Sequence, residues 1–387
     1  MLELIKVSDK KTAKAWLEFG SEIYKNLPSF VPYVKQDIAK VFNPAKNKAF
    51  EAGKAIRWII RKDNVISGRI ACFIENKYSK GMEQPTGGVG FFESINNKEV
   101  AFKLLDAAKE WLASHGVEAM DGIVNFGEKN MFWGTLIENF TDQNTYGMNH
   151  HPEYYKTFLE EYGFQIYYKQ LVYYRDMHIP MQEIFHKKRN SIDPEKNYLV
   201  SNCRGKSLEK IGDDFLTVYN NAWGGHHGFS PMKRAQAQRT MKALKPIMDR
   251  DILIFAYDGE KPIGFHINIP ELNDIFKYIN GNLNLIGKLK FLYHKWKKTP
   301  STMVGIVFGV DRDYHGKGIE SALIMFAVEN IVPQGRYNQT VMTWIGDFNP
   351  KMIKVCENTE ATVYRTLATY RYLFDREKEF KRAPNAN

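Results

Sequence analysis

The sequence predicts an α+β chain of two tandem units, each a mixed, mostly antiparallel sheet flanked by helices. Three observations lead there. Apolar stretches flank short polar turns at 55–74 and again at 252–269, and each reads as a β-hairpin. An apolar strand at 303–310 runs through a turn carrying Gly316 and Gly318 into Ile319, Ala322, Leu323, Phe326, Ala327 and Ile331, which recur at helical spacing. The succession of hairpin, strand, helix, strand, helix and strand occurs once in each half. The expected division is 1–177, a linker at 178–189, and 190–387.

In the first unit, strands at 55–61 and 65–74 flank Lys62-Asp-Asn64. Gly87-Gly-Val-Gly-Phe-Phe-Glu93 reads as the next strand. A helix follows with Val100, Leu104, Leu105, Ala108 and Trp111 on one face, then a strand at 117–124. A helix at 152–162 ends at Gly163-Phe164, and a strand at 165–175 closes the unit. The linker carries Pro180 and the basic run His186-Lys-Lys-Arg189.

In the second unit, strands at 252–257 and 262–269 flank Asp258-Gly-Glu-Lys261, and Asp-Gly is a strong hairpin signal. Ile66-Ser-Gly68 of the first hairpin corresponds to Pro262-Ile-Gly264 of the second. An insertion at about 271–298 has no counterpart in the first unit. Its end, Lys288-Leu-Lys-Phe-Leu-Tyr-His-Lys-Trp-Lys-Lys298, alternates basic with aromatic and apolar residues. Three readings of it stand: an apolar stripe covering a core, a helix lying on a membrane surface, or a guide for an anionic substrate. The strand at 303–310 and its helix follow. A strand at 339–345, a helix opening at Gly346-Asp-Phe-Asn-Pro-Lys-Met352 and a last strand at 364–374 complete the plan.

The turn before the helix at 319 carries the chemical signal. The first turn of a helix leaves backbone N–H groups unpaired, and glycines let a ligand approach them. Such a turn holds a phosphate or simply joins strand to helix. The spacing is neither the dinucleotide fingerprint nor a Walker loop. The segment resembles the acyl-CoA loop of the GNAT superfamily of N-acyltransferases, Arg/Gln-x-x-Gly-x-Gly/Ala, aligned on His315-Gly316-Lys317-Gly318-Ile319-Glu320. Gly318 is kept; His315 and Glu320 depart from the pattern. Asn349 and Met352 match the family's Asn-x-x-Ala/Met, while Cys356 stands where a tyrosine is common and Glu360-Ala361 where Gly-Phe is common. The likeness covers about 195–375. The chain is also similar to bacterial acyltransferase-like proteins with Gly-Phe-Phe-Glu (Gly90 to Glu93) and Trp-Ile-x-x-x-Asn (Trp344 to Asn349).

The resemblance implies an N-acyltransferase using acetyl-CoA or another acyl-CoA, with a small-molecule or peptide amine as acceptor. It implies donor contacts at Phe308, Gly309 and Val310, whose backbone would polarise the carbonyl, and at His315, Gly316, Lys317, Gly318, Ile319 and Asn349. In the first unit Ser94-Ile-Asn-Asn-Lys-Glu99 replaces the glycine turn, so that unit is expected to be a degenerate copy without a donor site.

Acyl transfer to an amine needs a proton acceptor, a polarised carbonyl and a proton for the leaving thiolate. Asp347 is the acid best placed in sequence to deprotonate an amine; it also suits an Asx turn before Pro350. Cys356 offers a proton to the thiolate, or packs. Glu93 ends the matching strand of the first unit, where it reaches a shared groove or opens a helix. His226 and His227, in Trp223-Gly-Gly-His-His-Gly-Phe229, border the acceptor site of the family plan or form a plain turn. Neither this pair nor His150-His151 has a completing set of cysteines or acids, so no metal is expected.

Three cysteines, Cys72, Cys203 and Cys356, form neither a disulfide framework nor a zinc spacing. No signal-peptide pattern or membrane-length apolar run is visible, and a cytoplasmic location is expected. The net charge of +10 suits nucleic acid, an anionic membrane or a phosphorylated donor alike. Two other function classes stay open: a Fem-like transferase that takes its acyl group from charged tRNA, and a CoA-binding scaffold without turnover.

Overall fold

A two-residue turn sets the register of the first half. Asp63 and Asn64 both hold left-handed backbone, at φ 51° and 66°. A type I′ turn needs that pair, and Asp and Asn tolerate it. Lys62 therefore faces Val65 across the hairpin. A computed structural model describes residues 1–79, 82–196, 198–224 and 231–385. Its first half runs β1 (Leu2–Lys6), α1 (Lys10–Glu22), α2 (Lys35–Val41), β2 (Gly53–Lys62), β3 (Val65–Glu75), α3 (Asn76–Ser79), β4 (Thr86–Ser94) and α4 (Lys98–Ala113). It continues through β5 (Ala119–Gly122), β6 (Thr135–Glu138), α5 (Tyr154–Tyr162) and β7 (Gln165–Asp176). The linker carries α6 (Glu183–Asn190). The second half runs β8 (Tyr198–Asn202), α7 (Leu208–Trp223), α8 (Arg234–Leu244), β9 (Leu253–Asp258), β10 (Lys261–Pro270), α9 (Asn273–Phe276) and α10 (Leu285–Trp296). It closes with β11 (Thr302–Val310), α11 (Ile319–Asn330), β12 (Gln339–Gly346), α12 (Pro350–Asn358) and β13 (Thr362–Leu373).

The strands form one mixed sheet in the order β1-β2-β3-β4-β5-β13-β7-β12-β11-β10-β9-β8, with β6 beside β13. The two halves exchange their closing strands. β7 pairs with β12 of the second half, β13 pairs with β5 of the first, and β7 and β13 run antiparallel between them.

Helices cover both faces, which is why central strands read as unbroken apolar runs. In the second half Ile254 and Ala256 pack with Ile319, Leu323 and Ala327 of α11. Their neighbours Leu253, Phe255 and Tyr257 point the other way, against Ile211 and Phe215 of α7 and Met241 of α8. In the first half α4 is capped by Asn97, whose side chain accepts from the Val100 N–H at 3.1 Å. It buries Val100, Leu104, Leu105, Ala108 and Leu112 against Ile60, Ile70 and Cys72. Truncating Leu104 to alanine there should cost about 2–5 kcal/mol.

The seam between the halves is polar and buried. The Arg365 guanidinium donates to the Asp142, Asn139 and Gln143 carbonyls at 3.0, 3.3 and 3.4 Å and lies 2.7 Å from His150 Nδ1. Burial lowers the pKa of His150 to about 4 and of His151 to about 3, so both are neutral packing groups. Glu271 Oε1 accepts from the Tyr146 N–H of the first half at 2.9 Å and from the Asn273 N–H at 2.8 Å. Burial pushes its carboxyl up to about 8.

Of the three readings of α10, the one in which its apolar stripe covers a core fails. Gly287 is its buried residue. Leu285, Ile286, Leu289, Leu292, Tyr293 and Trp296 are exposed, from 49% at Tyr293 to 78% at Trp296. The helix rests instead on its other side, where Phe291 stacks on Phe276 and His294 on Tyr278, at centroid distances of 5.9 and 4.1 Å. Among the described residues no helix is long and apolar enough to cross a membrane.

Candidate active site

Among the described residues the sheet contains two parallel pairs, β4/β5 and β11/β12, one in each half. The second pair parts early. β11 and β12 are in register from Thr302↔Gln339 to Gly305↔Met342 and then separate. Two bulges face each other at that point. On β11, Val307 pairs with Ile267 and Gly305 with Asn268, leaving Ile306 as an extra residue. On β12, Met342 pairs with Tyr173 and Ile345 with Leu171, so Thr343 and Trp344 stand against Val172 alone. A bulge bends its strand, and here the bends turn the two edges apart. The Thr343 hydroxyl donates to the Gly305 carbonyl at 2.8 Å and closes the apex.

The opening is a cleft of about 440 Å³. Ile306, Val307 and Phe308 of β11 line one edge and residues 342–346 of β12 the other. Ile324, Ala327 and Val328 of α11 and Met352 and Val355 of α12 wall it on one face of the sheet. Trp223, at the end of α7, lines it from the other face, so the cleft joins the two faces. Met177 and Met181, which follow β7, complete an apolar wall.

One titratable imidazole lines this space. His266 of β10 pairs in register with Phe308, and its ring meets the Phe308 ring edge-on at 5.5 Å. Its Nδ1 is buried with no hydrogen-bond partner among the described residues. Burial lowers its pKa to about 4, so the ring is neutral at physiological pH. Trp223 stacks on Phe265 and Tyr219 and lies against Gly309, where an added Cβ would sit 2.7 Å from the indole. Gly309 thus makes room for the aromatic end of the cleft.

Solved structures share this architecture. A tandem GNAT protein from the clavulanic acid biosynthesis pathway superposes with a TM-score of 0.55, covering 97% of this chain and 99% of that one, at 10% identity. The fold is the tandem GNAT fold. The GCN5-related glucosamine N-acetyltransferase region of a fungal multi-domain GH3 β-N-acetylglucosaminidase matches 96% of this chain and 38% of that chain, with a TM-score of 0.53 and 10% identity. In sequence, Protein YghO of Escherichia coli (strain K12) is 22% identical over 369 residues, 94% of this chain and 93% of the relative. The bacterial ceramide synthase of Caulobacter vibrioides (strain NA1000 / CB15N) is 22% identical over 377 residues, 95% of this chain and 97% of the relative. No family model matches.

Within this GNAT fold the residues singled out in the sequence fall in different places. Phe308 and Asn349 line the cleft. The Asn349 side chain also caps α12, accepting from the Met352 N–H at 3.1 Å. Val310, at the end of β11, and Ile319, the first residue of α11, are buried in the core between helix and sheet. His315, Gly316, Lys317 and Gly318 form the turn before α11 and are not part of the cleft lining. His315 folds back on the strand, its Nε2 3.1 Å from the Val310 carbonyl. Gly318 is left-handed at φ 84° and lies under the linker helix α6, where a Cβ would overlap the Lys188 carbonyl. A bulky residue there would therefore displace α6 as well as fill the turn.

The expected acids and bases lie outside the lining. Asp347 pairs with Arg382 beyond the cleft's edge. Cys356 is buried beside Met342, its Sγ 3.6 Å from that sulfur, and burial pushes its thiol up to about 12. Glu93 is buried in the first half in a two-bond pair with Arg69, at 2.5 and 3.1 Å, and that guanidinium lies 4.2 Å over Trp16. His226 and His227 lie outside the described residues. Among the described residues no group of three His, Cys, Asp or Glu could hold a metal ion. His266 escaped the sequence reading, although a signal existed. On a strand whose alternate residues Ile263, Phe265 and Ile267 are buried, it is a polar residue two places from Gly264 on the opposite face.

The first half closes the corresponding position. β4 and β5 pair from Thr86↔Ala119 to Val89↔Gly122. The chain after β5 then stays against β4, with the Val124 N–H donating to the Val89 carbonyl at 2.8 Å. Val124, Phe126, Phe73 and Trp133 pack in that space, and a Cβ on Gly90 would overlap the Val124 carbonyl.

Proposed function

We propose that this protein transfers an acyl group from acyl-CoA to an amine in the β11/β12 cleft. The observation that carries this reading is the parted strand pair, open through the sheet and walled by apolar side chains. The reaction joins the amine nitrogen to the thioester carbonyl carbon and breaks the carbon–sulfur bond. The amine gives up one proton and the departing sulfur takes one. Beyond Gly305 the β11 edge has no strand partner on the cleft side, so backbone N–H groups there are free to stabilise the developing oxyanion. The unpaired amides at the start of α11 suit a pyrophosphate. Among the described residues of the lining, His266 is the group that can accept the amine proton through a nitrogen, a role the sequence pointed to Asp347 to fill. A proton taken up there would pass on to the departing sulfur.

The lining favours a hydrocarbon chain on one of the substrates. Met177, Met181, Met303, Met342 and Met352 all border the cleft, and methionine adapts to alkyl chains of different shape. The Caulobacter relative's name, ceramide synthase, agrees with a long-chain amide as product. A thiol-release assay with acetyl-CoA and palmitoyl-CoA, against amines of increasing chain length, tests the reading. Amine-dependent release that rises with chain length is expected. Absence of release with every pair would overturn it, and salt-sensitive RNA binding would then favour a tRNA-dependent transfer.

A further inference from the structure

We infer that α10 is an interfacial helix that docks this protein on an anionic lipid surface. This does not rest on the acyl-transfer reading. At about 100° per residue, Leu292, Leu285, Trp296, Leu289, Tyr293 and Ile286 fall within one stripe about 120° wide. All six are exposed, so the stripe faces away from the protein. Lysines flank it on both sides: Lys288 and Lys295 along one border, Lys290 and Lys297 along the other. The helix contains no acid. The opposite side is anchored by Gly287, which abuts the Asn282 carbonyl and Ile279, and by the ring stacks of Phe291 and His294. The orientation is thus fixed by packing, with the apolar side left outward.

Charge decides the occupant. A second copy docked face to face would set lysines against lysines, whereas anionic headgroups complement them while the stripe enters the acyl boundary. The chain's net charge of +10 draws it to the same surface. Twelve residues are too few to span a bilayer, so the helix lies in the interface plane.

The test is co-sedimentation of the full chain with vesicles of phosphatidylcholine and phosphatidylglycerol in equal parts, and of phosphatidylcholine alone. A triple variant, Leu289→Ser, Leu292→Ser and Trp296→Ser, removes apolar surface without changing charge. A double variant, Lys288→Glu and Lys297→Glu, reverses two flanking charges. All these sites are exposed, and circular dichroism checks the fold. Binding to the mixed vesicles, weakened at least about tenfold by each variant and lowered by salt, is expected. No binding of the wild type to mixed vesicles would overturn the inference. So would binding that the triple variant leaves unchanged, which would mean general electrostatic attraction. A lipid-free dimer that the triple variant makes monomeric would assign the stripe to a second copy and overturn it equally.

Discussion

The two halves end their equivalent parallel pairs in opposite ways. After Val89 the first half keeps its own chain in the gap, with the Val124 backbone against Gly90 and Phe126 and Trp133 behind it. After Gly305 the second half turns β11 and β12 apart through facing bulges and leaves the space lined but unfilled. An open cleft thus remains only in the half where the following segment does not return to fill the space. The exchange of β7 and β13 adds a constraint. The filled half supplies β7 to pair with β12, the cleft's own edge strand, so the first half supports the cleft that it lacks.

Four substitutions can break or sharpen this contrast. The largest effect is expected at Gly90→Ala, because the new methyl would overlap backbone that cannot rotate away. A loss of about 4 kcal/mol or more in urea unfolding is predicted. Its counterpart Gly309→Ala meets the far end of the Trp223 indole and should cost about 1–3 kcal/mol. Equal costs would mean that the first gap is not closed by backbone. Next is Glu93→Gln, which leaves the buried Arg69 charge without its anion and should cost about 3–5 kcal/mol. Acyl-CoA affinity of the folded variant should be unchanged; a specific loss would return Glu93 to the site. His266→Gln should lower kcat about 10²-fold while leaving acyl-CoA affinity intact. A loss of affinity without loss of kcat would make His266 a binding residue only.

The smallest effect concerns the seam. Glu271 has its folded carboxyl raised to about 8 from an ordinary value near 4.5, so its contribution to stability is full below the lower value. It is lost as pH rises through the upper one, at roughly 1 kcal/mol per pH unit. The lowered His150 and His151 act in the opposite sense, losing stability as pH falls from about 6.5 towards 4. Thermal melts from about pH 6.5 to 8 isolate the glutamate, and Glu271→Gln should flatten the decline there. An equal decline in both proteins would place its cause elsewhere.

Local chemistry made the hairpins and the strand–turn–helix legible, since two-residue turns and apolar periodicity are properties of neighbouring residues. Facts that depend on distant pairing were not legible. Nothing in the alternation of β7 or β13 says which half's strands each pairs with. The periodicity of α10 placed its stripe but not the side that packs, because an outward stripe and a core-facing stripe have the same spacing. Gly318 was visible as a turn residue, yet the cover laid over it by α6 comes from residues more than a hundred positions away. Phe308 and Asn349, which line the cleft, were singled out through the family resemblance of the segments around them. His266 was missed because a lone histidine in a strand has no motif around it.

The most direct test of the unequal halves is titration calorimetry of acyl-CoA into the wild type and Val328→Trp, which fills the cleft from the α11 side. One equivalent bound per chain by the wild type, and none by the variant, is the predicted result. Undiminished binding in the variant, or two equivalents in the wild type, would contradict the assignment of a single open site to the second half.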